Sequence, residues 1–285
     1  MKRTKQLNYL RLVPFLYLFN KLFKFQKRNI FALMKILRRV YSTYCLLVFA
    51  GLFLILLPLF LIFVQKEKWH YYAYKLNNIW ARTFYFLCGF PVEQVFPEKW
   101  DKSKQYIICP NHTSFLDITL LGLTPIFFVF VGKSSISKVP LFGYMYRKLH
   151  ITVDRNNLKS KYETLRRSIQ AIDNGKSLVI FPEGGIYTES PPEMARFKDG
   201  PFRIAIEKQI PVIPVTIPYN WYILPDDGKM LVYWRKAKII YHDPIPTQGM
   251  GIDDVDKLKE KVFNIINQEL EAHKYSQLSF QSSKI

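Results

Sequence analysis

The stretch Gln105-Tyr106-Ile107-Ile108-Cys109-Pro110-Asn111-His112-Thr113-Ser114-Phe115-Leu116-Asp117 decides how the chain is read. Residues 105–109 form a short apolar run rich in β-formers, which predicts a buried strand. Pro110 has no N–H for a ladder bond, so the strand is expected to stop there. From Ser114 onward Leu116, Leu120, Leu121 and Leu123 fall mostly on one face, the pattern of a helix. A histidine therefore stands on a strand-to-helix turn, with a carboxylate five residues later. That spacing lets Asp117 reach back to one imidazole nitrogen and leaves the other facing a cleft. Such a pair is the base and orienter of a catalytic triad without its nucleophile, suited to deprotonating a hydroxyl of a substrate. A plainer reading stands beside it. Ser114-x-x-Asp117 also fits a helix capping box, and His112 also fits a turn residue bonded to backbone.

Outward from this stretch the chain alternates. Strand-like runs lie at 126–131, 150–153, 177–181, 211–217 and 237–241, with helical candidates around 114–123, 139–149, 159–174, 200–208 and 254–272. The alternation predicts an α/β fold, a mostly parallel central sheet flanked by helices. Ligands of such sheets sit at the carboxyl ends of strands. One strand end carries Gly132-Lys133-Ser134. Another carries Asp154-Arg155-Asn156, where an arginine offers paired donors and a fixed charge to a phosphate, or simply pairs with Asp154 at the surface. A third carries Phe181-Pro182-Glu183-Gly184-Gly185. Its glycines let backbone approach a ligand and aim N–H groups at an anion or oxyanion, although the same residues also make a plain turn. Phe197-Lys198-Asp199 and Val212-Ile213-Pro214-Val215 follow.

The charge is lopsided, 41 Lys and Arg against 22 Asp and Glu. The first 64 residues carry eleven of those bases and no acid. Bases interleaved with Leu, Phe and Tyr over 9–39 fit an amphipathic segment on a membrane surface, and no nucleic-acid reader motif accompanies them. Residues 40–64 then run without a charge, long enough to cross a hydrocarbon core of about 20 helical residues. The segment lacks the cleavage signature of a signal peptide. Gly51 and Pro58 are expected to kink or break it, and 69–90 is a second, aromatic-rich segment. The favoured reading is a helix pair embedded in one leaflet, which leaves the catalytic part on the cytoplasmic face, as the preceding positive charge suggests. The expected organisation is membrane-associating helices over 1–90, an α/β domain over 91–275 and a polar, disordered tail over 276–285. The three cysteines, Cys45, Cys88 and Cys109, form no CxxC pair, and Cys109 reads as core rather than nucleophile. His70, His150, His242 and His273 have no metal-ligand spacing.

Four blocks carry a resemblance. Asn-His-Thr-Ser-Phe-Leu-Asp, the Arg155 block, Phe-Pro-Glu-Gly and Val-Ile-Pro-Val, in that order over about 105–217, resemble the glycerophospholipid acyltransferases, 1-acylglycerol-3-phosphate acyltransferase type. The resemblance implies transfer of a fatty acyl group from a coenzyme A or acyl-carrier-protein thioester to the hydroxyl of lysophosphatidate, giving phosphatidate in phospholipid biosynthesis, with no metal or other cofactor. It implies His112 as general base, Asp117 as its orienter, direct attack without an acyl-enzyme, and oxyanion donors near Gly184 or in the first block. It further implies that Arg155, Glu183 and Gly184 meet the glycerol phosphate. Gly185, Lys133 and Lys198 are added as neighbours at the same edge. Family members commonly read Phe-Pro-Glu-Gly-Thr-Arg-Ser in the third block. Gly185-Ile186 here remove one cation, which either Lys198 or Arg196 replaces, or the acceptor is another lysophospholipid or an amino-acid lysolipid. Two readings from other classes compete: a metallohydrolase with His112, Asp117, Asp154 and Glu183 as ligands, and a non-enzymatic lipid-binding scaffold.

Overall fold

Seven strands form one sheet in the order β1-β7-β6-β2-β5-β3-β4. They are β1 (Val92–Val95), β2 (Ile107–Pro110), β3 (Phe128–Lys133), β4 (Ile151–Val153), β5 (Ser177–Ile180), β6 (Val212–Thr216) and β7 (Ala237–Tyr241). Neighbours are parallel except β6 and β7, so β7 and β1 run against the other five. The computed structural model describes residues 9–98, 100–134, 139–154, 157–188 and 190–282.

The central strands β2, β5 and β6 are buried at every position, as expected of near-continuous apolar runs covered on both faces. Side chains alternate between two layers. Ile108, Val179 and Ile213 pack with Trp80, Phe84 and Leu120 on one face. Ile107, Leu178 and Val212 pack with Phe202, Leu258 and Val262 on the other. The α/β architecture with a mostly parallel sheet thus matches the expectation, and the strand boundaries shift by one or two residues. Pro110 is the last residue of β2 rather than the first beyond it, paired with Val215. The expected 114–123 helix shrinks to α3 (Leu116–Leu121), because Thr113 and Ser114 N–H groups bond the Asp117 side chain instead of a helical ladder. Strand β1 and the short α7 (Asn220–Ile223) were not expected from the pattern. The remaining helices are α4 (Phe142–Leu149), α5 (Leu158–Asp173), α6 (Gly200–Glu207) and α8 (Val255–Ser282), the last continuing into the segment expected to be a disordered tail.

The N-terminal part differs most from expectation. Helix α1 (Tyr9–Phe63) runs unbroken through Gly51 and Pro58. A lone proline removes one backbone bond, and in a run this apolar no other arrangement satisfies the remaining backbone groups. Helix α2 (His70–Leu87) folds back antiparallel on α1. Tyr41 Oη donates to the Cys88 carbonyl at 2.7 Å, Phe49 packs edge-on against Trp80 and Phe84, and Phe60 and Val64 meet Ala73 and Leu76. The turn of this hairpin is fastened to the start of β5, where Lys176 Nζ bonds Glu67 at 2.5 Å. Along 30–63 α1 is long and apolar enough to cross a membrane, and only 6% of its most apolar window is buried, which separates it from a core helix.

Candidate active site

The five parallel strands deliver their carboxyl ends to one edge, and the loop after β2 lies there between the ends of β5 and β6. Asn111 locks it in place. Its Nδ2 donates to the Ile217 carbonyl at 3.1 Å and its Oδ1 accepts from Ile217 N–H at 2.7 Å. His112 Nδ1 then lies 3.0 Å from Asp117 Oδ2. The same oxygen accepts the N–H groups of Thr113 and Ser114, each at 2.9 Å, and Oδ1 accepts Asn220 Nδ2 at 2.9 Å. The capping and catalytic readings of Asp117 are therefore both true, since one carboxylate closes the turn and orients the imidazole. An ionised carboxylate only accepts, so Nδ1 carries the proton and Nε2 is left with a lone pair. Among the described residues no protein atom bonds Nε2. The ring of Phe181 stacks on the imidazole at 3.8 Å between centroids and holds its plane.

Glu183 is 1% exposed, and both oxygens face inward: Oε1 accepts His112 N–H at 2.7 Å and Oε2 accepts Ala195 N–H at 2.8 Å. A carboxylate so engaged positions the histidine loop against the 190–199 segment. Burial pushes its carboxyl up to about 7, against the pull of the two N–H donors. The unfolded value is near 4.3, so between about 4.3 and 7 the folded chain holds a proton that the unfolded chain has lost. Stability falls as pH rises through this window, by about 4 kcal/mol from this group. Thermal melts from pH 4.5 to 7.5 are expected to show that slope and Glu183→Gln to flatten it. An unchanged slope in the variant would assign it to other groups.

Gly184 sits at φ +86° with its N–H donating to the Phe181 carbonyl at 3.0 Å. That donor is spent on the turn. The first-block donors are spent too, Asn111 N–H on Val215 and His112, Thr113 and Ser114 as above, so the first block offers no oxyanion donor from Asn111 to Ser114. The N–H groups of Gly185 and Ile186, just past that turn, meet no protein acceptor among the described residues. A Cβ on Gly184 would sit 2.9 Å from Lys198 Nζ, which places that ammonium directly over the turn. Lys198 is anchored by its own N–H to the Pro182 carbonyl at 2.9 Å. Arg196, the other replacement cation, lines a groove with Phe197, Phe263 and Lys259 against α8. Lys133 is exposed at the carboxyl end of β3. Arg155 lies outside the described residues, two positions past the end of β4.

Cys109 is fully buried in β2 and burial raises its thiol, in agreement with a core role. Among the other histidines, His150 accepts Phe130 N–H and is pushed down to about 3 by burial, while His242 Nε2 meets Thr216 Oγ1. Among the described residues no three His, Cys, Asp or Glu side chains converge on a point that could hold a metal ion. Three contributors escaped the sequence reading. Phe181 stood inside a quoted block but carried no role, Asn111 opened the first block unremarked, and Asn220 has no local signal at all, being 103 residues from its partner.

Residues 92–218 match the family described as Acyltransferase. A 1-acyl-sn-glycerol-3-phosphate acyltransferase of Chlamydomonas reinhardtii is 27% identical over 78% of this chain and 69% of its own length. One of Saccharomyces cerevisiae is 31% identical over 65% of this chain and 62% of its own length. The crystal structure of the 1-acyl-sn-glycerophosphate acyltransferase PlsC of Thermotoga maritima superposes with a TM-score of 0.67, covering 83% of this chain and 98% of that one at 23% identity, which shows the shared fold. The family match covers the β2 loop and the Glu183 turn, and the chain is similar along most of its length to 1-acyl-sn-glycerol-3-phosphate acyltransferases.

Proposed function

We propose that this protein transfers a fatty acyl group from an acyl thioester to the free hydroxyl of lysophosphatidate, giving phosphatidate, on the cytoplasmic face of a membrane that α1 anchors. The observation that carries the reading is the His112–Asp117 pair at 3.0 Å with Nε2 free. Nε2 takes the proton of the acceptor hydroxyl as its oxygen attacks the thioester carbonyl. Asp117 compensates the imidazolium that forms. The Gly185 and Ile186 N–H groups receive the tetrahedral oxyanion, a contribution of about 3 kcal/mol for a well-aimed donor. Collapse breaks the carbon–sulfur bond, and the imidazolium returns its proton to the departing thiolate. No acyl-enzyme forms.

Lys198, Lys133 and Arg155 supply the positive charge for the phosphate of the acceptor. Lys198 Nζ lies over the Gly184 turn, beside the Gly185-Ile186 departure, so Lys198→Met is expected to raise KM for lysophosphatidate about tenfold, the worth of one exposed phosphate contact. Its kcat and its KM for thioester should stay within about twofold on the same basis. Equal KM values in variant and parent would remove Lys198 from the acceptor site. The same Gly185-Ile186 departure favours a second reading, acylation of another lysophospholipid or an amino-acid lysolipid.

The test is acyl transfer by membranes containing the protein, offered lysophosphatidate or other lysolipids with coenzyme A or carrier-protein thioesters, with and without EDTA. Phosphatidate formation indifferent to EDTA supports the proposal. Transfer only to a different lysolipid supports the second reading, and loss with EDTA would favour a metal-dependent hydrolase.

A further inference from the structure

We infer that Asn220 is a third member of the proton-handling array, a positioning residue that holds Asp117 and through it His112. Asn220 is fully buried as the first residue of α7. Its Nδ2 donates to Asp117 Oδ1 at 2.9 Å, and that oxygen has no other protein donor among the described residues. The amide orientation is fixed chemically, because a carboxylate can only accept. The other end of the amide tells against a packing role. Asn220 Oδ1 is buried without a partner, as is the neighbouring Thr113 Oγ1. An orphaned buried carbonyl costs stability that an apolar side chain of similar size would not. What the residue contributes is its N–H to Asp117.

The segment carrying Asn220 is built to hold that donor still. Ile217, three residues before it, is clamped by Asn111 from both sides of its peptide. Leu224, just after α7, accepts Ser114 Oγ at 2.7 Å, and Ile223 accepts Tyr233 N–H at 2.7 Å. The histidine loop and α7 thus bond each other at three places, with the Asn220–Asp117 contact between the outer two. Asp117 receives donors on both oxygens, which leaves its carboxylate one orientation toward His112 Nδ1. Outer partners that orient a functional histidine in this way are worth about 10–100-fold in activity.

The experiment compares Asn220→Ala and Asn220→Asp with the parent, each checked for folding by its thermal melt. The kinetic arm rests on the acyl-transfer reading. There Asn220→Ala is expected to lower kcat about 10–100-fold while KM for either substrate moves less than about twofold. Asn220→Asp keeps the volume but sets a second carboxylate against Asp117. It should be equally impaired at neutral pH and recover part of its rate as the medium is acidified, because a shared proton restores a donor. A second arm needs no substrate: carbethoxylation of His112 across pH, read by mass spectrometry. With the donor removed, the charge of Asp117 is less compensated, so the midpoint of His112 modification in Asn220→Ala should move to higher pH than in the parent. An Asn220→Asp variant as active as the parent at neutral pH, or an unmoved midpoint, overturns the inference. A parent that transfers no acyl group while the midpoint still moves would instead count against the acyl-transfer reading and leave the positioning role standing.

Discussion

His112→Ala is expected to lower acyl transfer by about 10²–10⁴-fold, the contribution of a well-placed general base, with the thioester still bound. Among the described residues no other base in the site can substitute. Glu183 is turned inward onto two backbone donors, and the Cys109 thiol is fully buried in β2. The substitution removes the stack on Phe181 and one hydrogen bond to Asp117, both at the edge of the core, so the thermal melt should shift only modestly. Asp117→Asn would be the more damaging change to the fold. Its amide nitrogen would face the N–H groups of Thr113 and Ser114 or that of Asn220, leaving donors pointed at a donor in a fully buried site. Initial rates of transfer on folded, membrane-bound variants check both. Transfer that survives His112→Ala would end the mechanism.

The second large effect concerns α1. Ile55 and Leu59 lie one turn apart on the exposed face, 73% and 43% accessible, in the run 40–64 that carries no charge. Ile55→Lys with Leu59→Lys should leave the fold intact, since neither side chain packs on α2. A lysine near the centre of a hydrocarbon core costs about 2.5–3.5 kcal/mol. Two together are expected to weaken membrane association on the order of a thousandfold or more. Flotation with lipid vesicles measures it. The accompanying loss of transfer should be confined to acceptors held in a bilayer and spare a short-chain lysophosphatidate in solution. A doubly substituted protein that still floats with vesicles would mean that α1 is not the anchor.

These outcomes separate what was visible in the residues from what was not. The β2 loop was legible because its information is local. An apolar run, a histidine and a carboxylate five positions on specify a turn whose central contacts, from Asp117 to His112, Thr113 and Ser114, lie within it, and the structure forms it with Asp117 serving cap and imidazole at once. The hairpin was legible in part. The charge-free run announced α1, but the expectation that Gly51 and Pro58 would break it treated local breakers as decisive. In a long apolar helix packed along one side against α2 they are not. Glu183 shows what a local reading leaves out. The resemblance gave it a role toward the glycerol phosphate, and nothing local announced that its buried carboxylate also accepts the N–H groups of His112 and Ala195.

By itself the sequence determined the alternation that makes a mostly parallel sheet, the long apolar helix and the His112–Asp117 pair. Each rests on periodicity or on contacts between residues a few positions apart, where the chain has little freedom. Only the tertiary structure decided that Glu183, 71 residues on, grips the histidine loop, that Lys198 rather than Arg196 lies over the Gly184 turn, and that Asn220 fills the second oxygen of Asp117. Those partners meet because β2 lies between β5 and β6, an order set by burying both faces of three apolar strands. Which polar group then faces which across the sheet edge follows from the packing of the whole core, and no spacing along the chain encodes it.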